Sequence, residues 1–249
     1  MTEAFFDTST PQHDPLRGEL LDMIRFRDYS TPRHRQVELG PSDVSHPCMR
    51  KTAFASMQEP ETNPPFDPLA SIIGTAMHTW LQSAAELSNQ VLGRQRWLTE
   101  TRVPVTPTLA GSSDLYDTDT DTVIDWKTAS TTRLRKYRKD PGPQYRGQVH
   151  LYARGFENLG FQVKRVAIAF IPRGATLHSF HVWSSDYDPR VADAVLARRN
   201  QTLALIDDLQ VEKYPERYAW IPAESWDCEY CPFFSTNPNS PYQCKGDGT

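Results

Sequence analysis

Gly111-Ser-Ser-Asp114 and Val123-Ile-Asp125-Trp-Lys127-Thr128, with the polar stretch Asp117-Thr-Asp-Thr-Asp121 between them, read as two short strands joined by a turn. Alternate side chains of a strand share a face, so Asp125 and Lys127 point one way and Ile124 and Trp126 the other. A hairpin symmetric about Asp119–Thr120 sets Asp114 opposite Asp125 on the same face. Two carboxylates and an ammonium then meet at a sheet surface, which suits holding a divalent cation and a water for phosphodiester hydrolysis. A solvated hairpin face with a cross-strand ion pair would use the same residues, so the rest of the chain decides.

Working outward, strands are expected at 97–105, 110–116, 122–128, 163–171 and 176–183, with Val166–Ile171 as a buried strand. Leu69, Ile72, Ile73, Ala76, Met77, Trp80, Leu81 and Ala84 form the apolar stripe of a helix over Leu69–Leu92, with Asp67 as its cap and Pro68 at its first position. Further helices are expected over Gln144–Leu159, stopped at Gly160, over Pro189–Leu209, capped by Asp188, and over Leu16–Phe26. Helices interleaved with strands imply a mixed α/β sandwich.

The 249 residues are enough for one sizeable core. Only 38% are apolar and 20 are proline, so many extended loops are expected. No apolar run approaches the ~20 residues of a membrane span, and the start, Met1-Thr-Glu-Ala-Phe-Phe-Asp7, lacks a basic-then-apolar signal. A soluble, cytoplasmic protein is expected. A net charge of −4 argues against a constitutive nucleic-acid coat. It leaves room for an acidic site beside a local basic track.

Four cysteines stand in an uneven layout: Cys48 alone, then Cys228-x2-Cys231-x12-Cys244. In a cytoplasmic protein this set points to metal binding rather than disulfides. The site would close a loop of about 180 residues, a cross-link contributing on the order of 5 kcal/mol in the chain-entropy model. Spacing alone does not separate Zn²⁺ from an iron–sulfur cluster. Trp226, Tyr230, Pro232, Phe233 and Phe234 could shield such a group or form ordinary core around four unrelated thiols.

Gly74-x3-His78 lies on the long helix, with the glycine one turn before the imidazole, where backbone or ligand can approach closely. Gln148-x3-Tyr152 puts an amide and a phenol on one face of a later helix, with Tyr145 a turn earlier. Arg133, Arg135, Lys136, Arg138, Lys139 and Arg146 follow Lys127 against a single Asp140, and read as a phosphate-tracking strip or a solvated loop. Asp117-x-Asp119-x-Asp121 opens like a calcium loop, but Thr122 and Thr128 occupy the places of the required Gly and Glu.

Taken in chain order, these pieces resemble the RecB-type branch of the PD-(D/E)xK nuclease superfamily. The match is closest to its iron–sulfur members, the AddB-like nuclease domains and the small CRISPR-associated and phage exonucleases. The family pattern of a first Cys, Gly-x3-His, a Glu before a strand, Gly-x2-Asp, Asp/Glu-x-Lys, Gln-x3-Tyr and three closing Cys falls on Cys48, Gly74 and His78, Glu100, Gly111 and Asp114, Asp125 and Lys127, Gln148 and Tyr152, and Cys228, Cys231 and Cys244. The gap before Cys244 is longer than is usual in the family, and position 125 is Asp, which the family allows beside Glu.

The resemblance implies a restriction-endonuclease-like α/β/α core with a mixed sheet, its two ends joined by a four-Cys cluster. Residues 41–249 would form the nuclease domain, and residues 1–40 have no assigned role. His78, Asp114, Asp125 and the Trp126 carbonyl would hold the cation, with Glu100, Gly74 and Tyr145 in support. An imidazole ligand admits Mn²⁺ as well as Mg²⁺. Lys127 would orient the attacking water, and Gln148 and Tyr152 would position the strand. The cysteines would hold a structural [4Fe–4S] cluster, with Zn²⁺ as the alternative. The implied activity is a DNA exonuclease on single strands or DNA ends, in recombination, repair or DNA processing. No Gly-x4-Gly-Lys-Ser/Thr is present, so unwinding would come from a helicase or recombination partner; ring-like oligomers occur in the family. The rival readings are a non-catalytic iron–sulfur DNA-binding accessory on the same fold and a zinc-stapled structural protein.

Overall fold

Alternating apolar positions in the central segment build a five-stranded mixed sheet, ordered β1-β2-β3-β4-β5. β1 (Trp97–Thr106), β2 (Leu109–Asp117) and β3 (Thr122–Ala129) are antiparallel neighbours, β4 (Arg165–Pro172) is parallel to β3, and β5 (His181–Asp186) is antiparallel to β4. The computed structural model describes residues 16–30, 39–63, 67–225, 227–235, 237 and 243–246; the small basic spot that the sequence offers at Arg33-His-Arg35, and Trp226, lie outside them. The chain divides into two units, Met1–Gln36 and Val37–Thr249. In the first, α1 spans Leu16–Tyr29 and buries none of its residues.

A parallel pair needs a crossover, and α5 (Thr131–Tyr137) and α6 (Pro143–Asn158) supply it between β3 and β4. Val149, Tyr152, Ala153 and Phe156 of α6 pack on Val103, Tyr116, Val123 and Ile168 in the main core. Thr128, on the opposite face of β3 from Val123, meets α4 (Leu69–Leu92) beside Gly74. The sheet therefore lies between helices, the restriction-endonuclease-like α/β arrangement expected from the sequence. No helix among the described residues is long and apolar enough to cross a membrane.

A second core joins distant parts of the chain. Met49, Ala53 and Phe54 of α3 (Met49–Ser56) pack with Ile206 of α7 (Pro189–Leu209), Tyr218, Ile221 and Phe233. Phe54 stacks on Tyr218 at 4.3 Å and on Phe233 at 5.3 Å. α2 (Pro41–Val44) precedes it.

Cap chemistry holds as the sequence suggests. Asp188 accepts the Arg190 N–H at 3.0 Å, and Gly160 takes φ +87° after α6. Asp67 accepts the Leu69 N–H at 2.9 Å, although Pro68 is the cap residue rather than the first helical one. Other expectations need correction. β5 starts at His181 rather than 176, because Leu177–Ser179 coils into a 3₁₀ turn and β4 pairs no further than Phe170↔His181. The Arg133–Lys139 stretch is not a loop: Ser130 caps a short helix, and Leu134 and Tyr137 anchor it to the core. The apolar stripe of α4 is wider than its contact with the sheet, so Leu69, Trp80, Leu87 and Val91 remain exposed.

His150, on α6, gives the fold an acid sensitivity. Its ring is buried and its Nδ1 lies 2.7 Å from the Arg146 carbonyl. Burial holds its pKa below that of free histidine. The unfolded chain therefore takes up a proton below about pH 6.5 that the folded protein refuses, so stability is full above that pH and falls as the pH drops. The urea midpoint is expected to fall between pH 7 and about 5.5, and His150→Gln to lessen that fall.

Candidate active site

The pairs Asp117↔Thr122, Tyr116↔Val123 and Leu115↔Ile124 set the register of β2 on β3. Its continuation would place Asp114 opposite Asp125, as a hairpin symmetric about Asp119–Thr120 requires. Main-chain pairing stops one step short, and there the Asp114 Oδ2 accepts the Trp126 N–H at 2.7 Å. A side-chain carboxylate replaces the missing strand carbonyl, and the two strands part around it. On the other side, β1 pairs with β2 through Thr99↔Leu115 and Thr101↔Ser113, passing over Glu100 and Asp114. Glu100 has φ +44°, a left-handed conformation that penalises an L-residue by about 1–2 kcal/mol. The kink also reverses the strand's facing: Leu98 and Val103, of opposite parity, both face the main core.

The kink and the parted strands gather the functional groups. His78 Nδ1 of α4 lies 3.2 Å from Asp114 Oδ1. His78, Glu100 and Asp114 each offer one ligand atom, all within 4.8 Å of one another. Beside them, the Lys127 Nζ lies 2.6 Å from Asp125 Oδ2. The Gln148 amide donates to Asp125 Oδ1 at 3.3 Å and to the Tyr152 hydroxyl at 3.1 Å. Lys127 Nζ also sits 5.3 Å from the Tyr145 ring centroid.

The electrostatics follow from burial and crowding. Burial pushes the Asp125 carboxyl up to about 6, with Asp114 adding and Lys127 opposing. Burial works against the Lys127 ammonium, but Asp125 and Asp114 outweigh it and raise its pKa. The hydrogen bond to Asp114 raises His78 against desolvation, and burial followed by the Asp114 charge raises Glu100. Such mutual repulsion among acids is what a cation relieves.

The expected ligand set and the observed grouping differ in detail. Glu100, read from sequence as a supporting residue, stands with His78 and Asp114. Asp125 instead has its oxygens on Lys127 and Gln148, and Trp126 meets the site through its amide N–H. The left-handed backbone that brings Glu100 in leaves no mark in the Thr99-Glu-Thr101 sequence. A Cβ on Gly74 would meet Thr128 Oγ1 at an ordinary 3.7 Å, so no close approach demands that glycine. Gly111 is the constrained one, since a Cβ there would come within 2.7 Å of Pro41 and 3.0 Å of Tyr152. The Asp117–Asp121 turn is neutralised by Arg96, Arg94 and Lys164, which accounts for its acids without calcium.

Glu100 offers a direct check. Glu100→Gly is expected to be about 1 kcal/mol more stable than Glu100→Ala, since only glycine adopts φ +44° without strain. If the grouping holds a divalent cation, both should weaken its binding equally, as read by calorimetric titration. Equal stabilities would show that the backbone relaxes at this position.

The four cysteines line one tight cavity, together with His46, Lys51 and Glu224. No disulfide joins them. Cys48 caps α3 and its Sγ accepts the Lys51 N–H at 3.4 Å. Arg50, which the sequence did not mark, clamps the closing segment: its guanidinium donates to the carbonyls of Ala219, Ile221 and Gly246. Cys244 is tied to the same segment through an isolated bridge to Phe234. The spread of the thiols bears on what they could hold. Zn–S bonds of about 2.3 Å in a tetrahedron set sulfurs about 3.8 Å apart. Among the described residues no three of these thiols come within 4.8 Å of one another. As they stand, the thiols do not meet the spacing that one tetrahedral zinc ion sets.

The fold is shared with solved structures. The chain is similar to the crystal structure of SSO0001, at 16% identity and a TM-score of 0.52, over 90% of this chain and 97% of that one. It is also similar to the alkaline exonuclease LHK-Exo from Laribacter hongkongensis, at 13% identity and a TM-score of 0.48, over 76% and 96% of the two chains. A phage-related exonuclease from Haemophilus somnus 129PT aligns at 15% identity and a TM-score of 0.45, over 66% and 82%. No protein-family model and no curated protein matches the sequence.

Proposed function

We propose that this chain is a divalent-metal-dependent DNA nuclease, acting as an exonuclease on single strands or DNA ends. The observation that carries the reading is Asp114. At the point where β2 and β3 part, it holds the backbone of Trp126 with one oxygen and reaches His78 with the other, within the three-ligand grouping with Glu100. His78, Glu100 and Asp114 would hold the cation, with Asp125 and the Trp126 carbonyl completing the set. A bound Mn²⁺ or Mg²⁺ supplies Lewis-acid polarisation of the phosphoryl oxygen and a more acidic water.

The chain's own residues do the rest. Lys127, kept charged by Asp125, orients the attacking water and offsets the charge that develops on the phosphoryl oxygens. Gln148 bridges Asp125 and Tyr152 and so fixes both for contact with the strand. The four cysteines would hold a [4Fe–4S] cluster that ties α3 to the closing segment. A helicase or recombination partner would supply unwinding.

The test is a gel assay of anaerobically purified protein on end-labelled and circular single-stranded DNA, with Mn²⁺, Mg²⁺ or EDTA. Metal-dependent loss of linear DNA is expected. No cleavage in any lane, from protein that retains its cluster, would favour a DNA-binding accessory instead.

A further inference from the structure

The basic strip is not one surface. Arg138 donates to the Ser179 carbonyl at 3.3 Å. Arg146 pairs with Asp140 at 2.8 Å. Arg135 and Lys139 are exposed. Arg133 and Lys136, three apart on α5, share a helix face. With Tyr137, Gln144, Tyr145 and Asp227 they line a solvent-open cleft of about 130 Å³. Tyr137 and Tyr145 meet edge to face at 5.4 Å, and half-buried Tyr145 also lies against Lys127. The cavity therefore opens beside the candidate active site. Its outer wall comes from the cysteine segment. Asp227, the residue before Cys228, approaches Arg133 at 3.8 Å, and the Arg133 guanidinium lies 5.1 Å from the Tyr230 ring centroid.

We propose that this cavity is a subsite for one nucleotide of the DNA strand, next to the phosphate that lies at Lys127. Arg133 and Lys136 take its phosphate, and its base lies on the open part of Tyr145. Cations that neutralise phosphate, beside an aromatic face, are the chemistry of single-strand binding. Asp227 opposes the phosphate and tempers Arg133, so the cysteine segment sets the strength of the subsite. The identity of the ligand rests on the nuclease reading.

The experiment measures binding of a short fluorescent single-stranded oligonucleotide in EDTA by anisotropy, across a salt series. Cleavage by the wild-type protein in Mn²⁺ is followed in parallel. Arg133→Ala and Lys136→Ala should each weaken binding about tenfold and lower the salt slope by about 0.7. Asp227→Asn should tighten binding, and asparagine tolerates the φ of +50° found there. Misfolding cannot produce that gain. Unchanged affinity in all three variants, beside cleavage by the wild type, overturns the subsite and leaves the nuclease standing. The expected changes in affinity without any cleavage uphold the subsite and overturn the nuclease. A wild type that neither binds nor cleaves overturns both.

Discussion

Lys127→Met is expected to slow DNA cleavage by about a thousandfold and to destabilise the protein by about 3 kcal/mol. The second effect arises because the pair is buried. Asp125 is 2% exposed, and its partner ammonium sits 2.6 Å away. Removing one member strands the other charge in a low-dielectric site, and the Gln148 amide cannot neutralise it. The double variant Asp125→Leu with Lys127→Met should be equally inactive yet regain much of the stability, since two apolar groups leave no unpaired charge. Single-turnover cleavage at saturating Mn²⁺ and urea unfolding read the two effects apart. A single variant that cleaves at the wild-type rate would remove Lys127 from the mechanism. A double variant no more stable than either single one would show that the pair is not energetically coupled.

The second large effect concerns the cysteines. Cys48→Ser is expected to remove on the order of 5 kcal/mol, the stabilisation of a cross-link across about 180 residues. The loss should be regional. Hydrogen exchange should rise in α3 and around Tyr218 and Ile221, which share the second core with Cys231 and Cys244, while α6 and β4 stay protected. Anaerobic purification with iron and acid-labile sulfide analysis identifies the group. Stoichiometric zinc without iron would refute the cluster, and uniform exchange across both cores would refute the regional effect.

Much of the fold was legible because it is local. The hairpin register followed from a symmetric polar turn, and the helices from period and caps such as Asp188 and Gly160. The hairpin, His78, Gln148 and Tyr152 were marked by spacing, and they do converge. What escaped the sequence depends on backbone geometry or on distant partners. The left-handed turn at Glu100 has no residue signature, since glycine is absent there. The Arg133–Lys139 run read as one charged strip because its polar residues hide the short period of α5, which splits it between two directions. Arg50 reads as an ordinary surface arginine until Ala219, Ile221 and Gly246 bring their carbonyls to it from the far end of the chain.

The second core imposes an order of events on synthesis. The β2–β3 hairpin needs only neighbouring sequence, so its carboxylates and Lys127 can meet soon after they leave the ribosome. Cys48 and α3 emerge earlier still, yet their partners Phe233 and Cys244 emerge more than 180 residues later. Through most of translation Phe54 has neither Tyr218 nor Phe233 to stack on, and Cys48 is a lone thiol. Any group the four cysteines hold would therefore be loaded late, and a chain interrupted before Pro189 would carry a formed hairpin and an exposed α3, a natural mark for chaperones and proteases.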